Sequence, residues 1–156
     1  MNYTFFYIMI LLPIPALIAV SRFKQVRLPA VTAGLVSIGY SLIFDITFGG
    51  LLGLYYYINL DETTVFMILA AVFIYAPLDI LFLVFIPSGI GKAAAYTAAW
   101  TAGMLLLECA CLSTGTLVFT GWRIFPWSFI TYAATYIWII KFYRYLDKRL
   151  KTSAIY

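Results

Sequence analysis

The chain has 156 residues, 65% of them hydrophobic and only 10% charged, with a formal net charge of +4. A soluble domain carries about 25% charged residues, so this composition, with mean hydropathy +1.00, excludes an ordinary soluble domain and points to an integral membrane protein. No polar stretch is long enough for a soluble domain or linker, and a single transmembrane helical domain over 1–156 is expected.

The basic residues lie in short segments between and after hydrophobic runs. That is the distribution membrane topology requires, so the positive charge implies no nucleic-acid partner. The chain has no histidine, which removes the commonest metal ligand and the usual acid–base catalyst. Its two cysteines, Cys109 and Cys111, would diverge by roughly 200° on a helix and so cannot easily bridge each other. They read as small packing residues. No metal and no cofactor is expected.

The first hydrophobic run, about 3–20, contains Pro13 and Pro15. A proline lacks the backbone donor a helix needs, so a kink is expected near the middle. No basic residue precedes the run and no small-residue cleavage site closes it, which predicts a retained helix. Ser21 to Arg27 then carries three positive charges. The second span, about 28–48, places Ala33, Ser37, Ser41 and Asp45 four residues apart on one helix face. Small residues on such a face let helices approach closely; packing does not explain Asp45.

Gly49 to Tyr57 reads as a turn and an interfacial segment, with its tyrosines at headgroup level. Asp61 and Glu62 follow as solvated acids. The third span, about 64–86, contains Tyr75, Pro77 and Asp79. Pro87 to Lys92 is a short turn without the glycine spacing of a phosphate loop. The fourth span, about 93–113, has Ala95, Ala99 and Gly103 on one face. A more polar stripe of Thr97, Thr101, Glu108 and Cys111 lies on another. Thr120 to Pro126 is an aromatic turn holding Arg123. The fifth span, about 127–142, has Tyr132 and Tyr136 one turn apart, and a basic tail follows.

The resulting expectation is an all-α, multi-pass bundle of five transmembrane helices in a bacterial plasma membrane. If residues 21–27, the turn 87–92 and the tail share one side, that side holds all the Lys and Arg residues except Arg123. The positive-inside rule then places the N-terminus outside and the C-terminus in the cytoplasm.

Acids in a bilayer are costly, about 2.5–3.5 kcal/mol on insertion scales, and usually face a bundle interior. Asp45, Asp79 and Glu108 are therefore the candidate functional residues, with Tyr75, Arg123, Tyr132 and Tyr136 as candidate substrate contacts. Helical rise places Asp45 and Glu108 towards the outer half, and Asp79 about 10 Å lower. Two readings stand side by side. In one, Asp45, Glu108 and Arg123 form a polar clasp, while Asp79 bonds a neighbouring helix or the Phe73 carbonyl. In the other, the acids line a pocket and donate or relay protons.

Ile43 to Asp45, Gly50 to Tyr55, Pro77 to Asp79, Leu107-Glu108 and the tryptophan turn before Pro126 form a set. On these motifs, spanning about 40–130, the chain resembles small multi-helix membrane proteins of spore-forming Gram-positive bacteria, a group without an assigned activity. It is also distantly similar to the membrane-type lycopene cyclase domain. That family has an Asp-containing helix followed by glycine and aromatics, then a Pro-x-Glu-Glu motif leading into phenylalanines. Pro77 to Phe82 here holds one shorter acid where that motif has two glutamates. The family's acids protonate a polyene and direct ring closure. The similarity therefore implies Asp79 as donor, with Asp45 and Glu108 shaping the site. The function expected first is association with a membrane partner or a second copy. The alternatives are an isoprenoid-modifying enzyme with Asp79 as proton donor and an oligomeric proton or small-solute conduit. Besides the lipid bilayer, a membrane protein or homo-oligomer is the expected partner.

Overall fold

The computed structural model describes residues 2–153. The first helical stretch breaks where the prolines begin: α1 (Asn2–Leu11) and α2 (Pro13–Phe23) meet at Leu12, because Pro13 offers no N–H to the carbonyl four residues before it. Helix α3 (Leu28–Asp45) starts with Pro29 in its first turn, where a missing donor costs nothing. It continues as a widened π turn over Ile46–Leu51. The third stretch is α4 (Thr63–Ala70), a second π turn over Ala71–Tyr75, and α5 (Ala76–Val84) with Pro77 in its first turn. A wide turn thus ends just before Pro77. Helix α6 (Ile90–Thr114) stops at Gly115, which takes a left-handed φ of 70°. Helix α7 (Phe129–Ser153) follows an irregular turn over Ile124–Ser128.

Four stretches, Tyr3–Phe23, Leu28–Leu51, Thr63–Val84 and Ile90–Thr114, are long and apolar enough to cross a membrane. The third is central: 61% of its apolar window is buried, against 11% and 22% for the first two and 22% for the fourth. Helix α7 runs to Ser153 rather than ending near 142. Its charged second half is held in helix partly by the i,i+4 pair of Lys151 with Asp147 at 2.6 Å.

The helices do not account for the whole fold. Tyr55–Tyr57 forms a strand, β1, that pairs antiparallel with β2 (Leu117–Phe119), Tyr56 opposite Val118. The segment expected to be a plain turn is therefore tied across the chain to the end of α6. Alternation along β1 sends Tyr55 and Tyr57 to the same buried side. There they join Phe6, Phe66, Met67 and Ile74 in one apolar cluster. Beyond β2, the N–H groups of Thr120, Gly121 and Trp122 all converge on the Leu54 carbonyl at 3.0 Å, and the Thr120 hydroxyl donates to the Gly53 carbonyl. These bonds fix Trp122 over this end of the molecule. A second cluster, including Ala33, Phe82, Leu83, Tyr136 and Ile139, joins α3, α5 and α7 lower down. At the opposite end Lys24 lies 4.5 Å over the Phe85 ring and Arg27 pairs with Asp147 at 3.9 Å.

Candidate functional site

Three acids from three different helices converge on one interior cavity. Asp45 ends α3 just before the first π turn and is 5% exposed. The Tyr55 hydroxyl donates to its Oδ1 at 2.7 Å, while its Oδ2 is buried without a partner. Tyr55 reaches it because the turn below is glycine. A Cβ on Gly49 would collide with Met67 and stand 2.8 Å from the Tyr55 ring.

Glu108, on α6 and 6% exposed, accepts two hydrogen bonds. The Ser128 hydroxyl donates at 2.5 Å and the Tyr132 hydroxyl at 2.7 Å. The indole N–H of Trp122 donates to the Ser128 oxygen at 2.8 Å, so a directed chain runs from Trp122 through Ser128 to Glu108. Cooperative polarisation along such a chain strengthens its last bond.

Asp79, on α5 and 5% exposed, lies against the Ser37 hydroxyl of α3. Of the partners expected for it, the structure shows the neighbouring helix. Ser37 itself donates to the Gly34 carbonyl at 2.7 Å. The approach of these helices depends on Gly34, where a Cβ would strike the Ile80 side chain and sit 3.1 Å from the Ala76 carbonyl.

The cavity between the acids measures about 90 Å³, several times the roughly 10–15 Å³ that a single water needs. Tyr75, Tyr132 and Tyr136 line it, as do Tyr55, Tyr57, Phe44 and Trp122. The Tyr57 and Tyr75 hydroxyls are paired at 2.8 Å. In the strand, outside the apolar helical stretches, burial first and the neighbouring Asp45 second push the Tyr55 and Tyr57 phenols well above their ordinary range. Both remain donors at neutral pH.

Arg123 is placed differently from the expected clasp. It is exposed, in extended backbone before the irregular turn, and outside the cavity wall. Ser128, Tyr132 and Tyr55 supply neutral donors to Glu108 and Asp45 instead. Asp147 pairs with Arg27 and Lys151 at the opposite end of the molecule. Among the described residues, no group of three or more His, Cys, Asp or Glu is disposed to hold a metal.

Beside the acid cavity lies a larger apolar cleft of about 520 Å³, bounded by α1 and α2, by Ile74 and Leu78, and by α6. Leu78 and Met104 belong to the walls of both.

Sequence reasoning did not reach Tyr55, Tyr57, Trp122 or Ser128. Three consecutive tyrosines carry no alternation that would have marked Tyr55 and Tyr57 as a strand pair. Nothing local marks Trp122 and Ser128, whose partner lies on another helix.

Fold and cavity together describe a helical chain of membrane-spanning character with an interior carboxyl–tyrosine site. No family model, curated protein or solved structure matches the chain.

Proposed function

We propose that the chain is a bacterial plasma-membrane enzyme of five spans whose interior acid cavity protonates a carbon–carbon double bond of an isoprenoid lipid. Asp79 is the donor, as in the membrane-type lycopene cyclase domain that the chain resembles. The observation carrying this reading is that Asp45, Asp79 and Glu108, each on a different helix, share one small aromatic-walled cavity with neutral hydroxyl donors rather than a cation beside them.

Intramembrane acids that face a bundle interior mark function by default, and these chemical groups restrict what that function is. Carboxyls and phenols move protons. In the proposed step the Asp79 O–H bond breaks and its proton bonds to one alkene carbon using the π electron pair. The neighbouring carbon becomes cationic, a second double bond supplies the pair that closes the ring, and a ring proton leaves to the Glu108 carboxylate. Exchange with solvent returns Glu108 to the carboxylate and Asp79 to the acid before the next turnover. The sum is an isomerisation, needing no oxidant or reductant. Aromatic faces attract a cation by about 0.5–2 kcal/mol each, and nine of the nineteen residues lining the cavity are aromatic.

The arrangement of charge supports the orientation with the N-terminus outside. Lys24 on Phe85 and Arg27 with Asp147 gather the first loop, the end of α5 and the C-terminal helix at one end, and Lys92 follows in the first turn of α6. Arg123 lies with the strands at the other end. The apolar first half of α7 packs along α3 and α6, which supports it as the fifth span.

The test is Asp79→Asn in a membrane producing isoprenoids. Loss of one cyclised or shifted product is expected; an unchanged isoprenoid profile sinks the reading. A second reading, association with a membrane partner or second copy, draws on Ala95, Ala99 and Gly103, which remain exposed on α6. The corresponding face of α3 is used internally, with Ala33, Ser37 and Asp45 all buried. Mild-detergent crosslinking that recovers only monomer counts against association.

A further inference from the structure

We infer that the apolar cleft between α1–α2 and α6 seats the hydrocarbon chain of the substrate, while the reacting double bond enters the acid cavity past Leu78 and Met104. The inference rests on the proton-donor reading and adds where the rest of the molecule goes and how it enters.

Volume makes such a subsite necessary. A cavity of about 90 Å³ admits the reacting end of an isoprenoid and little more. The cleft, at about 520 Å³, is within the range of about 300–1,000 Å³ typical of small-molecule sites.

The two spaces are joined through residues tied to the acids themselves. Leu78 immediately precedes Asp79 on α5. Successive helical side chains point about 100° apart, so one reaches the boundary and the other the cavity. Met104 is one turn before Glu108 on α6, on the same helix face. The thioether side chain of Met104 is flexible and adapts to changing neighbours, as an opening partition requires.

The cleft itself fits a chain drawn from the bilayer. No charged residue lines it, and its rims, Ile8 and Leu12 on one side and Ala99 and Gly103 on the other, are exposed. A helix about 10 Å across would fill such a volume with little more than one turn, whereas a flexible chain can thread it. A saturated chain would offer the acids nothing to protonate, so the occupant is unsaturated and, on the proton-donor reading, an isoprenoid.

The test uses the full chain in lipid nanodiscs with geranylgeraniol carrying a diazirine on its chain. Illumination is expected to give adducts at Met9, Leu12 or Trp100, competed by unlabelled geranylgeraniol. Leu106, 71% exposed on α6 and outside the cleft, reports bulk contact and should not be competed. Gly103→Leu fills the cleft and should lower the cleft adducts at least tenfold. A Cβ there meets nothing within 4 Å, so a side chain can leave the backbone without a clash, and an unchanged helical circular dichroism spectrum checks that the fold is kept. Uniform, uncompeted labelling of Leu106 and the cleft overturns the inference, as does a change in oligomeric state with Gly103→Leu, which would make this face a helix interface. Competed cleft adducts together with an unchanged isoprenoid profile for Asp79→Asn would leave the chain site standing and remove the proton-donor reading. The converse result would remove the chain site alone.

Discussion

The separation of α3 from α5 decides whether Ser37 reaches Asp79, and Gly34 sets it. In Gly34→Ala the new methyl collides with Ile80 Cγ1 and stands 3.0 Å from Ile80 Cδ1 and 3.1 Å from the Ala76 carbonyl. Neither neighbour yields easily. Ala76 O is backbone, and Ile80 is 6% exposed, with a β-branched side chain confined to one main rotamer in a helix. Overpacking of this kind costs about 1–3 kcal/mol, while replacing glycine by alanine in a helix returns about 1 kcal/mol. Gly39→Ala, on the same helix, adds a methyl that meets nothing within 4 Å, so it carries the propensity gain without the clash. Comparing the two variants by reversible unfolding in mixed micelles cancels propensity and leaves a gap of about 1–3 kcal/mol, with Gly34→Ala the less stable. Adding Ile80→Ala should relieve part of the clash, with a coupling of about 0.5–3 kcal/mol. Equal stabilities for the two glycine variants would refute this origin of the Ser37–Asp79 approach.

Three further outcomes follow from the site's hydrogen bonds. Tyr55→Phe removes the donor at 2.7 Å from Asp45 Oδ1 and leaves a buried carboxyl without a protein partner, costing about 1–3 kcal/mol in unfolding free energy; a neutral effect would mean the bond is not formed. Glu108→Gln puts an amide donor where Ser128 and Tyr132 both donate, and a loss of about 1–3 kcal/mol is expected. Combining it with Tyr132→Phe should then cost less than the sum; strict additivity would show the two groups are not partners. Above about pH 10, the ordinary tyrosine value, stability should fall. The raised Tyr55 and Tyr57 phenols hold protons in the folded chain that the unfolded chain releases. If Tyr55→Phe/Tyr57→Phe shows the same alkaline loss as the parent, these phenols are not its source.

The helical spans were legible because hydrophobic length and proline are local signals. Pro13 broke the first helix and the third span proved central, and helical rise alone put Asp45 and Glu108 at similar depth with Asp79 about 10 Å lower. What escaped was the means by which they meet. Two three-residue strands are too short for a pattern to reveal, yet they carry Tyr55 to Asp45. Arg123 looked like the only available counter-charge, but short-range hydroxyl donors from the strand and α7 occupy that role. Gly34 gave no sign in sequence, because its requirement for space comes from Ile80 on another helix.

Solvent deuterium addresses the proton-donor claim most directly. Purified protein in nanodiscs, given an acyclic polyene in D₂O, should return a product carrying deuterium at the protonated carbon. Asp79→Asn should slow its formation by about 10²–10⁴-fold, the usual contribution of a positioned general acid. A product without deuterium, or one formed equally fast by Asp79→Asn, would contradict Asp79 as the donor.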